Sequence, residues 1–305
     1  MVVQTGRPIF LTLLLFLVAV FGRRAAAADE SSYEIKMDRP AKVGDKYHLE
    51  ALAATRTTST LKVEGKNAPA MDESVGIRFE GDVEVTEVTD KGREKKLSCT
   101  VGTCAIKQGK QNLELVPKGT TLTAEWADGK TRYRANGKDL PEFAGTLLRR
   151  VLDISDPEGA SDDDMFGTKE RKKVGDEWPI DKEAAVRDFK QKELEVKSED
   201  VDGGSKLLEV AKVDAVPCYK LEVSFEGKNL KGTGKGAAEG MTLEKGRIRG
   251  TVTVLLPTDG QTGHLKENGT VTIESHLVGK IDDGKLVSVD TKVEEIVEKT
   301  FWRGK

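Results

Sequence analysis

Residues 46–64 read KYHLEALAATRTTSTLKVE. From Tyr47 onward, Leu49, Ala51, Ala53, Thr55, Thr57, Ser59, Leu61 and Val63 fall on one side of an extended chain. Lys46, His48, Glu50, Arg56, Lys62 and Glu64 fall on the other. Successive side chains of a strand point to opposite faces, so a period of two describes a strand with one dry face and one wet one. The run predicts one long strand, or two joined by a bend. Val75, Ile77, Phe79, Val83 and Val85 continue the alternation, and Gly81 inside it predicts a bulge or bend. Leu122, Ala124 and Trp126, then Asp128-Gly129, then Tyr133 and Ala135 predict a hairpin.

The second half repeats this pattern. Tyr219, Leu221, Val223 and Phe225 share a face, as do Ile248, Val252, Val254 and Leu256. So do Val271, Ile273 and Leu277, and then Val287, Val289 and Val293. Asp259-Gly260, Asn268-Gly269 and Asp283-Gly284 supply reversals between them. Parallel sheets need helical crossovers, which this chain lacks, so the predicted class is all-β and mainly antiparallel: a curved sheet, sandwich or half-barrel. One or two short helices are expected to pack on it. The first opens at Pro141 and runs to residue 153, with a stripe of Phe143, Leu147, Leu148, Val151 and Leu152. The second spans Lys182–Lys190, capped by Asp181.

Residues 1–28 have the layout of a secretory leader: Arg7, a 14-residue apolar run from Ile9 to Gly22, then small residues. The run is short of the ~20 apolar residues of a membrane-spanning helix, which makes an uncleaved anchor the lesser reading. Cleavage is expected near Ala28, giving a secreted or periplasmic chain. It removes Arg7, Arg23 and Arg24 and no acid, so a chain of net charge −3 becomes more acidic. No basic field recruits nucleic acid, and no such partner is expected.

At 305 residues the chain exceeds the ~250 at which single cores stop growing. The expected division is a β-rich unit at 29–154 ending in a helix, an acidic linker at 155–167 (SDPEGASDDDMFG), and a second β-rich unit at 168–305. An internal echo supports it. KVGDKY at 42–47 recurs as KVGDEW at 173–178, and residues 83–101 align with 207–225.

Signals for chemistry are sparse. Cys99 and Cys104 flank Thr100–Thr103 as strands flank a hairpin loop, so they are either a candidate disulfide or two small buried residues. Cys218 is left as a free thiol or an intermolecular link. The glycine cluster at 226–240 fails as a phosphate loop, because Asn229 stands at the first glycine and Gly236 at the magnesium-binding hydroxyl. His48, His264 and His276 have no metal-ligand spacing, and Asp162–Asp164 lack the alternation of a calcium loop. No catalytic, metal or cofactor site is expected. Asn268-Gly269-Thr270 matches a glycosylation sequon that turn chemistry explains without sugar.

Lys173, Val174, Gly175, Asp176 and Trp178, echoed by Lys42, Val43, Gly44, Asp45 and Tyr47, carry a resemblance. With an exported two-part β-rich chain, this KVGDxW element resembles a set of uncharacterised secreted or envelope proteins of planctomycete-type bacteria. The resemblance implies a duplicated β unit without a catalytic assignment. This chain lacks the lipidated Cys of many such proteins. A long sheet with a helix on one face also looks like the periplasmic lipoprotein-carrier fold, an analogy of fold alone. The expected role is a non-catalytic binding or scaffold protein of the envelope, with a lipid or an envelope protein as partner. The alternatives are a hydrolase with a noncontiguous site and a structural component that assembles through sheet edges.

Overall fold

The alternation seen in residues 46–64 organises nearly the whole molecule. The computed structural model describes residues 31–303 except 110, 192, 214, 233–240, 260–262, 264 and 281–283. The expected leader, His264 and much of the glycine cluster thus lie outside the described residues. In chain order the elements begin with β1 (Lys46–Val63), β2 (Lys66–Asn67), β3 (Met71–Val88), β4 (Glu94–Gln108) and β5 (Gln111–Glu114). The predicted hairpin follows as β6 (Thr121–Ala127) and β7 (Lys130–Ala135), then β8 (Lys138–Asp139). After α1 (Glu142–Leu148) and α2 (Asp162–Phe166) come β9 (Glu177–Pro179), α3 (Lys182–Gln191) and β10 (Leu194–Glu195). Five long strands close the chain: β11 (Val201–Val213), β12 (Val216–Gly232), β13 (Met241–Pro257), β14 (Lys266–Lys280) and β15 (Leu286–Arg303).

All 15 strands belong to one open antiparallel sheet. Its order is β8-β7-β6-β4-β3-β1-β15-β14-β13-β12-β11-β9, with β2, β5 and β10 paired to β1, β4 and β12. The first long strand therefore pairs with the last, from Tyr47 opposite Arg303 to Val63 opposite Val287. Register carries one face across the whole width. Ile106, Ile77, Ala53, Val297, Gly269, Val252, Val223, Ser205 and Trp178 stand side by side on nine strands. At ~4.8 Å per strand that row is ~38 Å long. The four apolar sets read from the second half share this face. The opposite face is polar and laced with pairs such as Arg56–Asp72, Lys62–Asp290 and Lys206–Glu177. Such exposed pairs are each worth about 0–1 kcal/mol.

The KVGD elements fold into one and the same clamp. In each, the Asp carboxylate accepts the Lys amide, at 2.9 Å for Asp45 and 2.8 Å for Asp176. The Asp amide donates to the Lys carbonyl at 3.0 Å in both. Gly44 and Gly175 sit at φ +91° and +95°, where a side chain is strained. Their amides donate to the carbonyls of Val85 (2.8 Å) and Leu207 (2.7 Å), whose own amides return to Asp45 and Asp176 (2.9 and 3.1 Å). Both strands bulge just after the docking residue, between Val85 and Glu87 and between Leu207 and Glu209. The structure thus equates Val85 with Leu207, whereas aligning residue 83 with 207 pairs Val85 with Glu209. That alignment holds for the following strands, where Leu97 matches Leu221, because the path from Leu207 round its hairpin to Leu221 is two residues longer than that from Val85 to Leu97.

Two covers lie on the apolar face. Over β1, β3, β4 and β6, the chain from α1 to Ile154 buries Leu147, Leu148, Val151, Leu152 and Ile154 against Leu49, Phe79 and Leu122. Each such side chain contributes about 1.5–3 kcal/mol on burial. The helix ends at Leu148 and continues as turns, and Pro141 is its N-cap residue rather than its first helical one. Phe143 is 61% exposed, a correction to its place in the stripe. The buried set centres on Ala144, Leu147 and Leu148, which leaves position 143 at the margin. Over β11–β13, the strap at 33–37 and Trp178 bury Leu207, Leu221 and Leu256.

The acidic segment expected as a linker is instead part of the packing. Ser161 caps α2 in a reciprocal box with Asp164, and Asp163 accepts the amides of Met37 (2.7 Å) and Asp38 (3.2 Å). Helix α3 lies where the second helix is predicted, with Asp181 Oδ1 accepting the Ala184 amide at 2.9 Å.

Two outcomes are expected. Gly44→Ala and Gly175→Ala should each lower stability by about 1 kcal/mol in urea titrations, with additive effects because the clamps are separate. Burial pushes the Glu94 carboxyl up to about 7, aided by the nearby Asp45 carboxylate. The folded state then holds a proton that the unfolded chain sheds near its ordinary 4.5, so stability is greatest below that value and falls as pH rises to 7. Glu94→Gln should remove this slope and gain about 1–3 kcal/mol at pH 8.

Candidate functional site

Between the two covers the apolar face continues with no element packed over it among the described residues. Three rows cross β1, β15, β14 and β13 there. They run Thr57–Val293–Ile273–Ile248, then Leu61–Val289–Leu277–Leu243, then Val63–Val287–Gly279–Met241. A hydroxyl row, Ser59–Thr291–Ser275, lies between the first two, and its Ser59 and Thr291 hydroxyls are 3.3 Å apart. Three strand spacings make the trough ~14 Å across. Ile273 is 40% exposed and most of the other side chains are half-buried.

Charged groups bound the trough on its upper side. Arg150, at the end of the first cover, reaches Thr55 and stands 3.8 Å from Glu295. Lys299 and Glu267 pair at 3.5 Å on the same face. Half-buried charges in an apolar face need partners, and these have them. On the other side the wall is α3, where Phe189 sits against the backbone at Gly227 and beside Ile248. Beyond Leu243, a cavity of about 970 Å³ opens between the α3–β10 corner and the β12–β13 strands. That volume falls in the range of small-molecule sites.

Most residues singled out for chemistry lie elsewhere. His48 Nδ1 is 2.8 Å from Asp82 and its ring lies 5.7 Å from Trp302, while His276 Nδ1 is 2.7 Å from Asp290. Both are on the polar face and partly open to solvent, and each is paired with a carboxylate. Hydrogen bonds from His276 and Lys62 hold the Asp290 carboxyl below its usual range. Among the described residues no group of three His, Cys, Asp or Glu side chains is placed to hold a metal ion.

The cysteines do not flank a hairpin. Residues 94–108 are one strand, with Cys99 opposite Val83 and Cys104 opposite Phe79. Five residue steps along the strand set the two ~16 Å apart, beyond the ~7 Å limit for a bridge. A bulge at Gly102 turns the odd spacing into a shared face, so both thiols enter the first core. Gly81 is required there, since a β-carbon on it would lie 2.6 Å from Cys99 Sγ.

The trough was not among the sequence-level candidates. Its signal was present in the alternation of four strands, but the register that places their rows together is not written in any one of them. The sheet's outermost strands, β8 and β9, have two and three residues, and β9 ends at Pro179, which blunts pairing between edges. No helix among the described residues is long and apolar enough to cross a membrane.

No protein-family model and no curated protein matches the chain. Among solved structures it is similar to one titled for lipid–protein interactions in lipovitellin, at TM-score 0.33 and 9% identity over 88% of this chain. The chain spans 26% of that protein's length. A mutant porin of Rh. blastica (11% identity) and OpdQ of Pseudomonas aeruginosa (8%) each give a TM-score of 0.16, over 83% and 84% of this chain and 99% and 97% of theirs. None of these values bears on function.

Burial pushes the Cys99 and Cys104 thiols up to about 12 and raises that of Cys218. All three should resist a thiol reagent at pH 8 in the native protein and react together on unfolding, as followed by absorbance.

Proposed function

We propose that this chain is a non-catalytic, exported envelope protein that binds an apolar, acyl-chain ligand on the open face of its sheet. The observation that carries this reading is the trough: apolar rows continuous with two packed cores, yet left half-open between them. Contiguous exposed apolar surface is unfavourable in a soluble chain and marks a surface that is occupied in use. The bounding pairs Arg150–Glu295 and Lys299–Glu267 support it, because they satisfy the half-buried charges on this face and leave the floor apolar. The leader-like segment at 1–28 supports the compartment.

Native mass spectrometry of the exported protein should show a co-purifying lipid mass. A fluorescent fatty-acid probe should bind the delipidated chain, and Ile273→Lys with Leu277→Lys should weaken it by about tenfold or more while the urea midpoint stays near that of the parent. A clean apo mass together with no probe uptake would overturn the proposal.

A further inference from the structure

The cavity beyond Leu243 differs from the trough in its rim. Its inner side is apolar through Val186, Leu194 and Leu243, and it continues the row Leu61–Val289–Leu277–Leu243. Its charged lining is Lys190 and Lys231 together with Glu193, Glu195 and Glu244. All five are exposed, and none of them forms an ion pair among the described residues, although most charges on the polar face do. Lys231 and Glu195 are even opposite each other in register without closing a pair.

The corner that presents these charges is built at some cost. Glu193 adopts φ +60°, uncommon for a residue with a side chain. Gly232, at φ +137°, lets the Glu193 carbonyl come so close that any β-carbon there would collide with it. The two-residue pairing of β10 with β12 then pins the corner to the sheet. Backbone held in sparsely populated regions persists where surrounding structure enforces it. Here it places Lys190, Lys231, Glu193 and Glu195 beside Glu244 around a cavity whose apolar lining is Val186, Leu194, Val196 and Leu243.

We infer that the ligand is a zwitterionic single-chain amphiphile, its acyl chain lying along the Leu61–Val289–Leu277–Leu243 row and its headgroup in this cavity. The inference rests on the proposed apolar-ligand function and adds the headgroup class. A headgroup phosphate faces the ammonium groups of Lys190 and Lys231, and its own cationic end faces Glu193 and Glu195. A fatty-acid carboxylate satisfies only the lysines and meets repulsion from the glutamates. A neutral sugar head gains from neither.

The test compares three probes of one chain length on the delipidated full chain: lysophosphatidylcholine, the corresponding fatty acid and an alkyl maltoside. Titration calorimetry should give about tenfold tighter binding for lysophosphatidylcholine than for either of the others. Lys190→Gln with Lys231→Gln should bring it to the maltoside level, with maltoside binding and the urea midpoint unchanged. Glu193→Gln with Glu195→Gln should improve fatty-acid binding. Equal binding of all three heads, or tightest binding of the fatty acid, would overturn the headgroup assignment while sparing the apolar-ligand reading. Failure of every probe to bind would remove that reading as well.

Discussion

The register between β1 and β15 is the constraint on which the rest of the molecule depends. These strands lie 223 residues apart at their nearest ends, Val63 and Leu286, yet pair over nearly their whole length. A slip of one residue would turn Val289, Val293 and Val297 to the charged face and bring Lys292 and Glu294 into the trough. The polar pairs Lys62–Asp290 and His276–Asp290 meet across the sheet only in the observed register. They add little stability each, but a slipped register would lose them and bury charge together, and it is the second effect that decides.

That joint turns two half-sheets into one surface. The first apolar cluster draws on residues 41–154 plus Val297 and Phe301 of the last strand. The second draws on the strap, Trp178 and strands β11–β13. Each has its own cover, each half begins with a KVGD clamp, and the strands joining them have none. The open trough is thus a consequence of how the halves meet: β15, β14 and the far part of β1 extend beyond the reach of both covers. The strap and the Asp163 contacts tie the amino-terminal residues to the second half, so the halves are linked through more than the sheet alone.

Much of the architecture could be read from residue patterns. Alternation in β1, β3 and β12–β15 and the Asp128-Gly129 reversal are local properties, and α3 announced itself through Asp181 and its alanines; the irregularity expected at Gly81 falls instead on the neighbouring strand, where Gly102 is the extra residue. Another local reading needed correction: Asn268-Gly269, expected as a reversal, lies inside β14 opposite Glu298 and Val297. The other corrections involve distant partners. Cys99 and Cys104 resemble hairpin ends until Gly102 is recognised as an inserted residue in a continuous strand. The run Asp162–Asp164 resembles a solvated spacer until Met37 and Asp38 arrive to donate to Asp163.

The sequence by itself determined that this is an antiparallel β protein with one dry face per strand, in which the same Lys-Val-Gly-Asp turn occurs twice. These follow from the two-residue period of an extended chain and from the glycine that the turn's positive φ demands, both settled within a few residues. Only the tertiary structure decided that the dry faces merge into a single open sheet, that first strand joins last, and that a trough remains between the covers. Those outcomes depend on which strand pairs with which and in what register, a choice made by contacts among residues far apart in the chain.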